Sequence, residues 1–533
     1  MKKTLLLLTL ALIPIGRMCA QVDYNVIPLP QSVAIDKQGG SYQLTSGAVV
    51  SYPSSSEELR RSAEMLCDYL QESTGLSLTA EPDRRKDAAI ILSYPKERST
   101  ESEAYTLTVG KKGVTIEGSG AGVFHGIQTL RKAIGASNTD TIQLPYVTIN
   151  DEPRFPYRGA HIDCCRHFFS VDFLKRYIDI LALHGCNKLH WHLTDDQGWR
   201  FEVKALPELA EQGSIRRETV IGANLGIYDG VEYGRGLYYT QEQCREVVEY
   251  ARERYIDVIP EIELPGHMVA ALHVYPELGC RGEGYEVWTE WGVSKDILCA
   301  GNPKTLDFLK TILGELCEVF PSRLIHIGGD EAPRTRWKEC PRCQEKMKEL
   351  GLTDEAQLQT YINSELEAFL AERGRTIIGW DEILEGGASE SATIMNWHGR
   401  ELAVEAASKG RDVVMTPMEF CYFDYYQLRD RSRQPLGIGG YVPVSKVYTL
   451  EPVPEELSPE EARHILGAQC NLWAEYIAYP QHMEYMLLPR LSALSEVQWT
   501  QPKLKDYDGF LRRLPRLIEL YDRLGFKHCQ SLE

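Results

Sequence analysis

The 533-residue sequence is 43% apolar and 25% charged, with a formal net charge of −18. Such a charge argues against a nucleic acid or an anionic membrane surface as partner. The composition is that of an ordinary globular protein, long enough for two or three domains, and its fourteen cysteines are too sparse for a small disulfide scaffold.

At the N-terminus, Lys2 and Lys3 precede an apolar run over residues 5–15, and Met18-Cys19-Ala20 puts a small residue before a cut at Gln21. This is the layout of an export signal over residues 1–20. A membrane anchor is disfavoured, because the run falls short of the roughly 20 residues a spanning helix needs. A lipidated Cys19 is the alternative, with Gly16-Arg17-Met18 a poor approach to such a site. No later segment reads as a membrane span.

Residues 21–150 alternate short strand-like runs (89–94, 105–109, 114–118) with helical ones (57–72 and 121–134). In the second helix Val123, Ile127, Leu130 and Ile134 recur at helical spacing. This predicts a small α+β domain. The stretch 144–155, with two prolines and Asn150-Asp151-Glu152, is the expected boundary.

From 151 to 533 the pattern changes. Eight apolar runs follow, at 159–162, 188–193, 258–262, 324–327, 376–379, 393–397, 413–416 and 466–473. Helical segments at 171–184, 241–254, 304–320, 355–373 and 401–409 separate most of them. A series of β-α units of this length predicts an α/β fold, a closed (β/α)8 barrel after the small domain and with a helix at the C-terminus. An open doubly wound sheet is the rival, weakened because no glycine-rich phosphate loop follows any strand.

Barrel enzymes place their chemistry at the C-terminal ends of strands. Here those ends carry Asp163, Arg166 and His167; His190, His192, Asp195 and Asp196; Glu261, Glu263 and His267; Asp330-Glu331; Trp380-Asp381-Glu382; Trp397; Tyr422 and Asp424; and Trp473 and Glu475. Indole faces stack on the C–H faces of a pyranose, and carboxylates bind its hydroxyls. Glycosidic cleavage also needs an acid for the leaving oxygen and a group that stabilises positive charge at the anomeric carbon. Adjacent acids after a buried strand, Asp330 and Glu331, are placed to perturb each other's proton affinity.

Two other readings stand beside a sugar hydrolase. His190 and His192, at i and i+2 of a strand, share a face and with nearby acids form a candidate zinc pair. A sugar-binding protein without turnover would keep the tryptophans and need not keep Asp330-Glu331. Among the cysteines, Cys164, Cys165, Cys186 and Cys470 sit in apolar contexts expected to bury thiols. Cys280 and Cys299 flank a loop and are candidates for a bridge. Cys340-Pro341-Arg342-Cys343 looks like half a zinc knuckle without a second CxxC, and is read as structural.

Arg158-Gly159, Asp163 with Arg166-His167-Phe168-Phe169, His190-Trp191-His192-Leu193 with Asp195-Asp196, Pro265-Gly266-His267, His326-Ile327-Gly328-Gly329-Asp330-Glu331 and Gly379-Trp380-Asp381-Glu382 resemble glycoside hydrolase family 20, the β-N-acetylhexosaminidases. The likeness runs from about Ile27 to the C-terminal helix, and 105–134 is similar to part of the small domain that precedes the barrel in that family. The resemblance implies a retaining mechanism in which the substrate's own 2-acetamido oxygen attacks the anomeric carbon. It implies that Glu331 is the general acid/base, and that Asp330 orients the acetamido group while its charge keeps Glu331 protonated. It further implies Arg158 on the C3 and C4 hydroxyls, and Asp195 and His267 as a relay holding Glu331. Tyr422 would bond the acetamido oxygen, Trp380, Trp397 and Trp473 would form the pocket walls, and Asp424 and Glu475 would bind substrate, Glu475 at the C4 or C6 hydroxyl. It implies no metal and no cofactor, and as partner a glycan carrying N-acetylhexosamine. A family member releasing a disaccharide is the nearest alternative.

Overall fold

A computed structural model describes residues 22–84, 86–96, 102–223 and 226–532, so the expected export signal lies outside the described residues. The N-terminal unit is a seven-stranded sheet in the order Ser32–Ile35, Val147–Asp151, Tyr105–Gly110, Gly113–Gly118, Ile90–Ser93, Val49–Tyr52, Thr79–Pro82. Helices Glu57–Thr74 and Gly120–Ile134 pack on it. Each helix starts where a serine side chain, Ser56 or Ser119, accepts a backbone N–H from the first turn. The expected boundary at 144–155 is structured rather than loose. Residues 141–145 and 147–151 are both strands, and the first barrel strand begins at Tyr157.

The second unit is a closed, all-parallel barrel of eight strands: Tyr157–Asp163, Lys188–His192, Asp257–Glu261, Leu324–His326, Thr376–Trp380, Thr393–Asn396, Val413–Met415 and Ile465–Cys470. Pairing of Tyr157 with Gly467 closes the ring, which excludes the open doubly wound sheet. Helices Val171–Leu183, Gln241–Arg252, Lys304–Val319, Ala356–Ala371 and Arg400–Ser408 lie between strands. The fifth connection has no α-helix, only the 3-10 turn Asp381–Leu384. Helices Arg490–Trp499 and Tyr507–Leu524 end the chain, and no helix among the described residues is long and apolar enough to cross a membrane.

The barrel interior is polar at mid-height. His190 and His192 point inward with His161 and His326, and all four are fully buried around Glu261. Glu261 stands 3.0 Å from His190 Nε2 and 2.8 Å from His326 Nδ1, pairs with His192, and accepts a hydrogen bond from Trp380 Nε1 at 2.9 Å. The strand histidines thus have a structural task beneath the pocket floor, and neither His190 nor His192 lines the pocket above.

Candidate active site

At the C-terminal mouth of the barrel a pocket of about 410 Å³ is lined by Arg166, His267, Asp330, Glu331, Trp380, Trp397, Tyr422, Asp424, Trp473 and Glu475. Trp291, Gly292 and Val293 from the third connection, with Tyr425, Ile438 and Tyr476, complete its rim.

The fourth strand sets the acids. After His326 the chain bends through Gly328 (φ 62°) and Gly329 (φ 97°), a conformation that costs glycine little. A Cβ on Gly328 would overlap the Glu263 carboxylate, and one on Gly329 would meet Ile383 Cγ2 at 2.5 Å. The bend buries Asp330 and turns Glu331 outward, its side chain 42% exposed at the pocket mouth. Only four described non-glycine residues have positive φ, and two of them are His267 (51°) and Glu331 (47°). Strained backbone of this kind collects where a side chain must be aimed.

A chain of ionisable groups leads to Glu331. His192 is held between Glu261 and Asp195, 2.9 Å from Asp195 Oδ2. Asp195 Oδ1 lies 3.2 Å from His267 Nδ1, and His267 Nε2 stands 3.6 Å from Asp330 Oδ2 and 3.7 Å from Glu331 Oε2. Burial alone would lower the His267 pKa, but Asp195 and its hydrogen bond hold it well above the usual value. His267 is therefore an imidazolium in the resting site. The His267 imidazolium beside it draws the Glu331 pKa down, while burial raises Asp330, with Glu261 and Glu331 adding to the shift.

This corrects the expectation that an anionic Asp330 keeps Glu331 protonated in the free protein. The His267 and Arg166 charges outweigh the carboxylates around Glu331, and the open mouth leaves it partly hydrated. Glu263 also sits beside Asp330. Burial and the Asp330 and Glu261 charges raise its pKa well above the usual carboxylate value, which favours its neutral form.

Arg158 is a second correction. It lies at the start of the first strand, 1% exposed, on the face away from the pocket. Its guanidinium donates to Glu103 Oε2 at 2.9 Å and Oε1 at 2.6 Å, to Phe155 O at 2.8 Å and to Gly185 O at 2.7 Å. Its donors tie Glu103 of the N-terminal unit to the base of the barrel. The pocket arginine is Arg166, just past the same strand, 3.2 Å from Asp163 and 2.9 Å from Asp195, with its guanidinium 5.2 Å from the Trp473 ring.

The remaining expected residues come together. Trp380 forms the floor, 5.7 Å from Trp473 between centroids, and Trp397 stacks with Tyr422 at 6.0 Å. Asp381 fixes Trp397 by accepting from the backbone N–H groups of Trp397 (3.0 Å) and His398 (3.1 Å) and from the Asn396 amide (2.7 Å). Glu382 accepts from Trp397 Nε1 at 3.0 Å, and burial with the charges of Asp330 and Asp381 pushes its pKa up to about 9. Burial keeps the Tyr422 phenol protonated. Asp330 Oδ1, both Asp424 carboxylate oxygens and Glu475 Oε2 are buried acceptors without a hydrogen-bond partner among the described residues. Buried acceptors of this kind call for donors from a ligand.

Glu263 and Glu382 were placed at strand ends without a role, and chain order concealed the Tyr425 and Trp291–Val293 parts of the rim, which only the closure of the barrel brings in.

A closed parallel barrel whose mouth joins two carboxyl groups to indole walls is the architecture of a glycoside hydrolase. The profile of the glycosyl hydrolase family 20 catalytic domain matches residues 155–502, and that of the family's domain 2 matches residues 23–152. This chain belongs to glycosyl hydrolase family 20. It is 41% identical over 513 residues to a beta-hexosaminidase of Porphyromonas gingivalis, covering 95% of this chain and 64% of that protein's length. The solved β-N-acetylhexosaminidase of Streptomyces coelicolor superposes with a TM-score of 0.82 at 32% identity, over 95% of this chain and 97% of that one. The exo-β-N-acetylglucosaminidase of Vibrio harveyi, solved with N-acetylglucosamine, gives 0.82 at 32% identity, over 97% and 80%.

Proposed function

We propose that this chain is an exo-acting β-N-acetylhexosaminidase that releases terminal β-linked N-acetylglucosamine or N-acetylgalactosamine with retention, the substrate's acetamido group acting as nucleophile. The observation that carries the reading is the division of labour between neighbours. Asp330 is buried with a free oxygen facing the pocket, while Glu331 stands exposed at its mouth.

A sugar seated on Trp380 would meet Asp424, Glu475 and Arg166 with its hydroxyls, and Asp330 and Tyr422 with its acetamido group. Its glycosidic oxygen would point out toward Glu331. A floor closed by the histidine layer leaves no room beyond the terminal ring, which favours exo action over release of a disaccharide.

In the first step Glu331 protonates the leaving oxygen as the acetamido oxygen closes on the anomeric carbon. Asp330 takes the N–H and balances the cationic ring that forms. In the second step Glu331 draws a proton from water, which opens that ring with overall retention. Covering the mouth with substrate removes water from Glu331 and raises its proton affinity, so the proton it needs is supplied on binding.

Export belongs to the same reading, supported by the residue 1–20 pattern; N-terminal sequencing of the mature protein is expected to begin at Gln21. For catalysis, Glu331→Gln is expected to lose about 1,000-fold in turnover on alkyl glycosides and far less on an activated aryl glycoside. Asp330→Asn is expected to slow both. Equal losses for Glu331→Gln on the two leaving groups would remove it as the general acid.

A further inference from the structure

We infer that Cys280, Cys299, Cys340 and Cys343 bind one zinc ion in a closed, four-thiolate structural site that ties the pocket wall to the segment following the catalytic acids. The sequence shows one CxxC and expects no metal. The fold brings the other two sulfurs to it from 41 residues away (Cys299 to Cys340) and 63 residues away (Cys280 to Cys343) in the chain. All four Sγ atoms lie within 4.8 Å of one another. The separations are 3.8 Å for Cys280–Cys343, 3.7 Å for Cys299–Cys340 and 3.6 Å for Cys299–Cys343. Four sulfurs at the usual Zn–S distance of about 2.3 Å form a tetrahedron with edges of about 3.8 Å. Three of the six separations match that edge, and all four sulfurs converge closely enough to share one centre.

The surroundings are built to hold the sulfurs there. Gly279 pairs with Leu298 in an antiparallel bridge, and Cys299 N donates to Leu278 O at 2.7 Å, so Cys280 and Cys299 leave adjacent strands side by side. Pro341 opens the helix Pro341–Leu350, which places Cys340 and Cys343 one turn apart at its start. A Cβ on Gly301 would overlap the Arg342 carbonyl, so only glycine lets the Cys299 loop come this close. Arg342, whose guanidinium donates to Gly279 O at 2.9 Å, offers a positive charge to a centre that four thiolates and Zn²⁺ leave doubly negative. Cys299, Cys340 and Cys343 are buried, and a closed four-sulfur set leaves no open coordination position.

Cys280 and Cys299 bracket the loop that carries Trp291, Gly292 and Val293 into the pocket rim. Cys340 and Cys343 follow Asp330-Glu331 on the next connection, where Trp337 Nε1 donates to Leu298 O at 2.8 Å. The ion would clamp the two connections beside the substrate without touching it. Binding displaces the thiol protons.

The test is elemental analysis of the full chain purified without chelator or added metal. One zinc per chain is expected, with these four thiols resisting alkylation until the protein is denatured with chelator. Cys340→Ser/Cys343→Ser is expected to cut zinc by about tenfold or more, while Cys67→Ser retains it. Stripping the ion with a mercurial should lower the melting midpoint by about 5 °C or more and leave the pH profile of residual activity unchanged. A metal-free wild-type chain would overturn the inference. So would an intact mass short by the four hydrogens of two disulfides, or a different metal in the site.

Discussion

His267 faces both catalytic acids from one nitrogen, and its charge lowers the proton affinity of each, against burial at Asp330. With His267 cationic, the Glu331 pKa is drawn down and Asp330 is raised by burial. Replacing the imidazole by an uncharged ring removes the cation, so the Glu331 pKa rises. Because Glu331 must be protonated to act as acid, the high-pH limb of kcat/KM, which reports the free enzyme, is expected to move to higher pH in His267→Phe. Its kcat should fall about tenfold or more, as the relay from Asp195 is cut. A limb that stays in place or moves to lower pH would contradict this assignment. At this scale the motifs named Asp330, Glu331, His267, Tyr422 and the tryptophans Trp380, Trp397 and Trp473, which the structure brings to one mouth, with Asp195 behind His267. They did not convey charge balance, because the distance from His267 to each acid depends on three separate connections meeting.

Among the elements, the fourth strand does most to aim the chemistry, and its two glycines are what permit the bend. Gly328→Ala adds a methyl where the Glu263 carboxylate lies, at a positive φ. The shift passes through Glu263 to Asp330. A displacement of about 1 Å is expected to cost about 100-fold in kcat, measured beside a melting curve showing the fold retained. Unchanged turnover would show that the bend has slack.

The barrel strands were readable because each is a short apolar run buried on both faces. The N-terminal strands Ser32–Ile35 and Ser41–Thr45 were not, since both are short and largely exposed, and the second offers only Tyr42 and Leu44 to an inward face. Arg158 was misplaced for a geometric reason. Five residues at about 3.3 Å each set it about 16 Å below Asp163, at the opposite end of the barrel.

At the level of the whole molecule, the N-terminal unit buttresses the barrel from below through the Arg158–Glu103 pair and through Trp499, whose Nε1 donates to Asp151 at 3.0 Å. Burial alone would raise the Glu103 pKa, but Arg158 draws it well below the usual range. A carboxylate depressed in the folded state adds stability above its unfolded pKa of about 4.3, and that stability is lost as pH falls below it. Arg158→Met is therefore expected to cost about 3 kcal/mol near pH 7, less in acid, with kcat and KM within about twofold of wild type. Arg166→Met, one turn of chain past the strand, should instead cut kcat/KM about 100-fold or more. Reversed outcomes would restore Arg158 to the substrate.

The central claim is that the sugar's own amide is the nucleophile, steadied by Asp330 while Glu331 hands over the proton. The most direct measurement compares kcat/KM for a 4-nitrophenyl N-acetyl-β-glucosaminide with that for the matching β-glucoside, which differs only by a hydroxyl at C2. The glucoside is expected to react about 1,000-fold more slowly or worse, with that gap narrowing in Asp330→Asn. Hydrolysis of the two at similar rates would mean that some other group attacks the anomeric carbon.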